Sequence, residues 1–209
     1  MEHTPLDLEK LYRLQLACEA TNMSSVVRIP EITDYFIKSV LDLGVKRIQI
    51  PHINTANKLL DVRTKSMFFP EGKRGLCKYV RAAKYSVECV DDYIDRSNDE
   101  IERILQIEGK ITQKELKNII KNCKKNESIF LGPYDLSQSL GIPGKIWDDR
   151  VLEFMETVIN ECNKNNVKVG TFTSDTKGLE FWKTKGIDFL QYSSDLDLLK
   201  SSYNYLKTI

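Results

Sequence analysis

Residues 128–137 read Ser-Ile-Phe-Leu-Gly-Pro-Tyr-Asp-Leu-Ser. A short apolar run, Ser128 to Leu131, stops at a Gly-Pro pair, and a carboxylate, Asp135, stands just beyond it. The run has the length of a buried strand, and Gly132-Pro133 predicts a loop at its C-terminal end. The same arrangement occurs one unit earlier: Ile104-Leu-Gln-Ile107 is apolar and Glu108 follows it directly. Between the two, Gln113 to Lys124 has helical spacing. Strand, helix, strand, each strand ending at an acid, implies parallel pairing in an α/β fold.

Working outward, the alternation continues. Toward the N-terminus the spacing predicts a strand at Arg47–Ile50 closed by Pro51, a strand at Ser25–Ile29 closed by Pro30, and helices over 6–21, 32–43 and about 54–67. Gly44 suits the position just past a helix end. Residues 69–86, with Pro70, Gly72 and Gly75, read as a long loop, followed by a short helix around 90–96. Toward the C-terminus come helix 151–165, strand 167–172, helix 177–185, strand 188–191 and helix 196–206. The total is six strands, each followed by a helix or a long excursion, with one helix ahead of the first. Arg28, His52, Glu108, Asp135 and Ser174 all fall at or just beyond the C-terminal ends of different strands. Spreading reactive groups over many strand ends is how a (β/α) barrel of the TIM type builds a site. A doubly wound nucleotide binder calls instead for a G-x-G-x-x-G turn after its first strand, and the sequence has none.

The 209 residues suit one domain. Thirty-one basic and 30 acidic residues are interspersed and leave a net charge of +1, so nothing points to nucleic acid as a partner. Lys117, Lys121, Lys124 and Lys125 read as a solvated helix face. Five widely spaced cysteines with no C-x-x-C pair argue against zinc or redox chemistry and for free thiols in a reducing compartment. With no signal-like N-terminus and no long apolar run, the expectation is a cytoplasmic protein without a membrane span.

Glu108 and Asp135, on neighbouring strand ends, form a pair able to share a hard divalent ion whose other positions go to water or substrate. The alternative is a helix cap for Asp135 and a solvated acid for Glu108. Arg28 closes an apolar strand, where a buried cation needs a partner: either an internal acid or the carboxylate of a substrate that matches its planar fork. His52 lies between Pro51 and Ile53 and reads equally as loop or site residue. His3, two residues from the start, is by position alone an unordered terminus. No G-x-S-x-G or H-E-x-x-H motif is present.

In order along the chain, Val26-Val-Arg-Ile-Pro30, Asp42-Leu-Gly44, Ile48-Gln-Ile-Pro51, Phe69-Pro-Glu-Gly-Lys-Arg-Gly75, Gln106-Ile-Glu108, Gly132-Pro-Tyr-Asp-Leu-Ser137 and Gly141-Ile-Pro-Gly144 resemble the HpcH/HpaI aldolases, which include the 2-keto-3-deoxy-sugar-acid aldolases. The ordered set is more specific than any piece, above all the Gly-Pro-x-Asp-Leu-Ser loop after the Gln-x-Glu strand. The resemblance implies that Glu108 and Asp135 are metal ligands and that Arg28 contacts the 2-oxo acid and its enolate. It implies that Gln106 lies on the substrate side; Tyr134, at the variable loop position, reads either as a residue that shapes the pocket or as packing. Glu2-His3-Thr-Pro-Leu-Asp7 is similar to the family's D-x-E-H-x-P segment, which makes His3 the acid/base histidine.

What the resemblance implies chemically is class II aldol cleavage of a 4-hydroxy-2-oxo acid to pyruvate, or an analogue, and an aldehyde. The cofactor would be Mg²⁺, Mn²⁺ or Co²⁺, and the assembly a homo-oligomer. A citrate-lyase-like or citrate-synthase-like metal-enolate reaction uses the same ligands and stays open beside it, as does a non-catalytic remnant that binds a small acid. The departure lies at the start. The aspartate of D-x-E-H has no counterpart, nor do the strands the family places before it. The expectation is therefore a single TIM-type barrel domain over 1–209 lacking about its first two strands, with six remaining.

Overall fold

A computed structural model of the chain describes residues 1–207. Six strands form one sheet in the order β1-β2-β3-β4-β5-β6, every neighbouring pair parallel. They are β1 (Val27–Arg28), β2 (Arg47–Ile50), β3 (Glu102–Ile107), β4 (Glu127–Leu131), β5 (Val169–Thr173) and β6 (Phe189–Tyr192). Nine α-helices accompany them among the described residues: α1 (Leu8–Ala20), α2 (Asp34–Asp42), α3 (Ala56–Ser66), α4 (Val90–Glu100), α5 (Gln113–Asn122), α6 (Pro133–Ser139), α7 (Asp149–Lys164), α8 (Thr176–Thr184) and α9 (Asp195–Leu206). Sequential order with parallel pairing is the TIM-like pattern. Here the sheet is a curled, open arc, since β1 and β6 pair with one neighbour each among the described residues.

The helical and strand periods explain the layering. Along each strand alternate residues point to opposite faces. One face of β2, β3, β4 and β5 (Ile48, Ile50, Leu105, Ile107, Ile129, Leu131, Val169) packs against Ile37, Val40, Leu59, Val62, Leu116, Ile119, Met155 and Val158 of the surrounding helices. The other face carries Gln49, Gln106 and Phe130, and so is partly polar although buried. Thr33, Thr55 and Thr112 each accept a first-turn backbone N–H and so start α2, α3 and α5 at defined points. Each such cap contributes about 1 kcal/mol.

At the N-terminal ends of the strands, Arg63 of α3 reaches the buried Glu127 carboxylate with Nε at 2.7 Å and Nη2 at 2.5 Å. The backbone N–H of Lys124 donates to the same acid at 2.9 Å. A cavity of about 860 Å³, lined among others by Val26, Ile104, Ser128 and Phe189, opens at that end. No helix among the described residues is long and apolar enough to cross a membrane.

Two sequence expectations need correction. The Gly-Pro segment is not simply a loop: Pro133 starts α6, with Gly132 at the cap. Proline at the first helical position lacks only an N–H that has no partner there anyway. The segment 69–86 is likewise not all loop, because Arg81–Ser86 forms a 3-10 turn, followed by a helix α4 longer than its apolar spacing suggested. The remaining differences are one or two residues at element ends.

Candidate active site

Every polar residue singled out at a strand end lies at the C-terminal rim of the sheet. Arg28 closes β1, His52 follows β2, Glu108 follows β3, Asp135 is in the first turn of α6 after β4, and Ser174 follows β5. Glu108 is the centre of the contacts. It is 5% exposed, and its Oε1 accepts the backbone N–H of His52 at 2.8 Å. The amide of Gln106 donates to its Oε2, and the amide of Gln49, on β2, donates in turn to Gln106 Oε1. Both glutamines are buried, so this row holds the carboxylate in one orientation.

Gly132 makes the arrangement possible. A Cβ at this position would lie 3.0 Å from Glu108 Cβ and 3.3 Å from both Gln106 Nε2 and Glu108 Oε2. The start of α6 therefore presses directly on the carboxylate. Beyond it, the buried Ser137 hydroxyl donates to Tyr134 O at 2.6 Å and accepts the Gly144 N–H at 2.9 Å, tying the loop to the 141–144 turn. Tyr134 is half exposed, with its ring centroid 6.0 Å from that of Phe172.

On the other side, Glu2 is the hub. Its Oε2 lies 3.0 Å from Arg28 Nε and 3.7 Å from His3 Nε2, and its Oε1 lies 3.7 Å from His52 Nε2. The Met1 nitrogen donates to Arg28 O at 2.9 Å, which holds this segment against β1. His3 therefore lies next to the Glu2 carboxylate that also meets Arg28, with its side chain 65% exposed. Arg28 takes an internal acid here, the first of its two alternatives, and keeps its remaining guanidinium edge for other partners.

Electrostatics separate the two acids. Burial pushes the Glu108 carboxyl above the usual carboxylate range; the Gln106 amide and the His52 N–H oppose this, and the negative charge of Asp135 adds to it. Asp135 itself is exposed. Glu108 is therefore an anion that the protein alone compensates poorly, with a second carboxylate close enough to disfavour its charge. A divalent cation held there would reverse that balance. Two carboxylates with open water positions form a donor set that fits Mg²⁺ or Mn²⁺. No group of three or more His, Cys, Asp or Glu side chains is arranged for an ion among the described residues. The fit as it stands thus rests on the pair.

The matching of this chain to known proteins agrees with the geometry. The family model described as HpcH/HpaI aldolase/citrate lyase matches residues 1–202. The chain belongs to this family. Its members are carbon–carbon lyases. A 2-keto-3-deoxy-L-rhamnonate aldolase of Salmonella gallinarum (strain 287/91) is 26% identical over 217 aligned positions, covering all of this chain and 80% of the relative. The protein of that name from Escherichia coli O6:K15:H31 is 28% identical over 204 positions, covering 94% of this chain and 75% of its own. An HpcH/HpaI aldolase/citrate lyase family protein from Burkholderia cenocepacia J2315 superposes with a TM-score of 0.92 at 28% identity, over all of this chain and 82% of that one.

Within this HpcH/HpaI chain, Gln106 and Glu108 are in direct contact, Arg28 and His3 both lie against Glu2, and Tyr134 and Asp135 stand on the first turn of α6 after β4. Two participants escaped the sequence reading. Gln49 shares the polar face with Gln106, and a glutamine inside Arg47-Ile-Gln-Ile50 was the available sign. Glu2 stood in the His3 motif, but its place between three cationic or imidazole groups depends on contacts far apart in sequence.

Proposed function

We propose that the protein catalyses metal-dependent reversible aldol cleavage of a 4-hydroxy-2-oxo acid, giving pyruvate or a close analogue and an aldehyde. The observation that carries this reading is the Gln49–Gln106–Glu108 row, with Asp135 across from the acid and Arg28 on the neighbouring strand end. Glu108 and Asp135 would hold a divalent ion, and such an ion, when bound, supplies Lewis-acid stabilisation of enolate charge. Arg28 offers its guanidinium to the substrate carboxylate and the developing 2-oxyanion, where a fixed positive group lowers the barrier. Gln106, held by Gln49 and by Glu108, positions the carboxylate and excludes water from its buried side. His3 takes the proton of the 4-hydroxyl. The C3–C4 bond then breaks, its electron pair passes to the enolate, and the aldehyde departs. Protonation at C3 completes pyruvate.

The names of the relatives favour a deoxy-sugar-acid type of substrate. Tyr134, whose ring lies 6.0 Å from that of Phe172, would flank the aldehyde portion of the substrate. The open edges of β1 and β6, and α9 with none of its side chains buried, support reading the working form as a homo-oligomer of single barrel-type domains. The test is proton exchange of pyruvate in D₂O, followed by NMR, with Mg²⁺ or Mn²⁺ and with EDTA. Metal-dependent loss of the methyl signal is the expected result. Equal signals in both arms refute the reading.

A further inference from the structure

A cavity of about 460 Å³ lies beside the N-terminal ends of β2 and β3, away from the rim that carries Glu108. The end of α2, the 3-10 turn Arg81–Ser86 and the end of α4 enclose it, and the proposed reaction does not use it. Lys46, Arg74, Arg81, Lys84 and Arg96 line it, against the acids Glu19 and Glu100. Arg81 takes Glu19, and Lys46 takes Glu100 at 2.7 Å. Behind the wall, Asp42 meets Arg74 at 2.7 Å and Glu88 meets Arg96 at 2.6 Å. Five cations thus face four acids, and one positive charge is left over.

Arg74 is where the excess shows. Its side chain is 1% exposed, and only Nη2 is bonded, to Asp42 and to the Tyr93 hydroxyl at 3.2 Å. Its Nε and Nη1 are buried without a hydrogen-bond partner, which leaves three N–H groups unfilled. The Phe68 ring, its centroid 4.6 Å from Arg74 Cζ, offers a π-face and no lone pair. Arg103 is incomplete in the same way, with Nη2 buried and unpartnered. Burial pushes Arg103 down to about 10, and the charges of Arg63 and Arg74 add to this against that of Glu127. Among the described residues, every buried side-chain N or O without a partner is one of these three arginine nitrogens. Buried donors are as a rule bonded to protein, to water or to an ion, and a buried excess of cations calls for an anion. The backbone points the same way. Lys84, Tyr85 and Ser86 are left-handed in succession, at φ 50°, 53° and 74°. Strain of that kind collects at ligand clamps and switch regions, and Lys84 and Tyr85 both line this cavity.

We propose that the cavity binds a phosphate group, free or esterified, with Arg74 at its inner wall and the 65% exposed Lys84 at its mouth. A phosphate group carries a charge of about −1.5 to −2 and at least three acceptor oxygens, so it draws on several of these donors together, and guanidinium forks match its geometry. A carboxylate brings one charge and two oxygens. The site stands apart from Arg28 and Glu108 and does not depend on the metal-dependent reading, so its occupancy should stabilise the fold without entering the reaction.

The experiment is calorimetric titration of the full chain with inorganic phosphate, and separately with glycerol 3-phosphate, against potassium chloride at matched ionic strength. Phosphate should bind saturably, and at about 100 times Kd should raise Tm by roughly 5–10 °C, whereas chloride should not. Arg74→Lys keeps a charge for Asp42 but loses the unfilled guanidinium donors. It should weaken phosphate binding by at least about 10-fold, the scale of one hydrogen bond to a charged group. Lys84→Gln, at an exposed side chain, should weaken binding less and leave the ligand-free Tm unchanged. Tighter binding of the ester than of free phosphate supports the site and shows that its occupant is an ester. Absence of saturable binding of either anion to the wild type overturns the proposal, as does unchanged affinity in Arg74→Lys. Where Arg74→Lys does not fold, unchanged affinity in Lys84→Gln overturns it instead. Loss of phosphate binding in Arg28→Lys would place the anion at the strand-end rim and also overturn it.

Discussion

Replacing Gly132 by alanine tests the site with one methyl group. The position has φ −92° and ψ 93°, which any residue adopts, so the change introduces no backbone strain and its whole effect is contact. The new Cβ would meet Glu108 Cβ at 3.0 Å and Gln106 Nε2 and Glu108 Oε2 at 3.3 Å. Comfortable separations between carbons are about 3.5–4.0 Å, so the partners must part by roughly half an ångström. The loop cannot simply retreat, because the Gly132 N–H donates to Ile107 O at 3.1 Å and α6 begins at the next residue. Glu108 must move instead, against its bonds to Gln106 and to the His52 N–H. Overpacking of this kind costs about 1–3 kcal/mol. For a chain of this length that lowers Tm by roughly 2–12 °C, at about 2–4 °C per kcal/mol. Displacement by about 1 Å costs on the order of 100-fold in rate, so half that shift should slow metal-dependent pyruvate exchange by about 10-fold. Differential scanning calorimetry and the D₂O exchange assay read the two effects. A Gly132→Ala protein with unchanged Tm and exchange rate refutes the close approach of the α6 start to Glu108.

Glu108→Gln should abolish metal-dependent exchange while leaving the ion-free Tm at neutral pH equal to or above wild type. Burial raises the folded-state pKa of Glu108, so its contribution to stability is full below the unfolded value and is lost as pH rises through the folded one. Over that same weakly acidic window the wild type's metal affinity should increase with pH, by calorimetry, because the ion competes with the proton. Saturating metal at about 100 times Kd should stabilise wild type by about 2.7 kcal/mol and raise its Tm, but not that of Glu108→Gln. Arg63→Met strands the buried Glu127 carboxylate, and removing one partner of a buried pair costs about 3–5 kcal/mol. Urea unfolding should show this loss, with pyruvate exchange by the folded fraction retained. Among the thiols, Cys77 and Cys89 are exposed, whereas burial pushes Cys123 up to about 12 and Cys162 higher still. A thiol reagent should label the first pair in the native protein and reach Cys162 only after unfolding.

Much of this was legible in the sequence, and the exceptions share a cause. The strands of β3 and β4 show in the apolar runs Ile104–Ile107 and Ser128–Leu131, and the acids after them mark the rim without any structure. The α6 start was not legible: a Gly-Pro pair reads first as a loop signal, proline at the first helical position is only compatible with a helix, and a segment this short carries too little periodicity to decide. Likewise, whether Arg28 meets an internal acid or a substrate depends on where residues 1–3 lie, and no local pattern encodes that. The role of His52 depends on register. Pairing of Ile50 with Leu105 sets the loop after β2 level with the end of β3 and so delivers its N–H to Glu108.

Register also explains why one residue of β3 can serve the fold and the next the chemistry. Leu105 and Ile107 belong to the apolar core, while Gln106 and Glu108 face the other way. A slip of one residue would exchange the two sets, putting a carboxylate among Leu59, Val62 and Ile119 and leucine at the site. The cost of that exchange is the burial of an unpaired charge among apolar side chains, several kcal/mol, added to the apolar packing that Leu105 and Ile107 would lose against the helices. Hydrophobic patterning therefore fixes the position of Glu108 more firmly than its own hydrogen bonds do. The bonds from Gln106 and His52 then have only its orientation left to decide. That division of labour accounts for an acid held in place although the protein around it disfavours its charge: the core supplies the position, and the charge is left for an ion to balance.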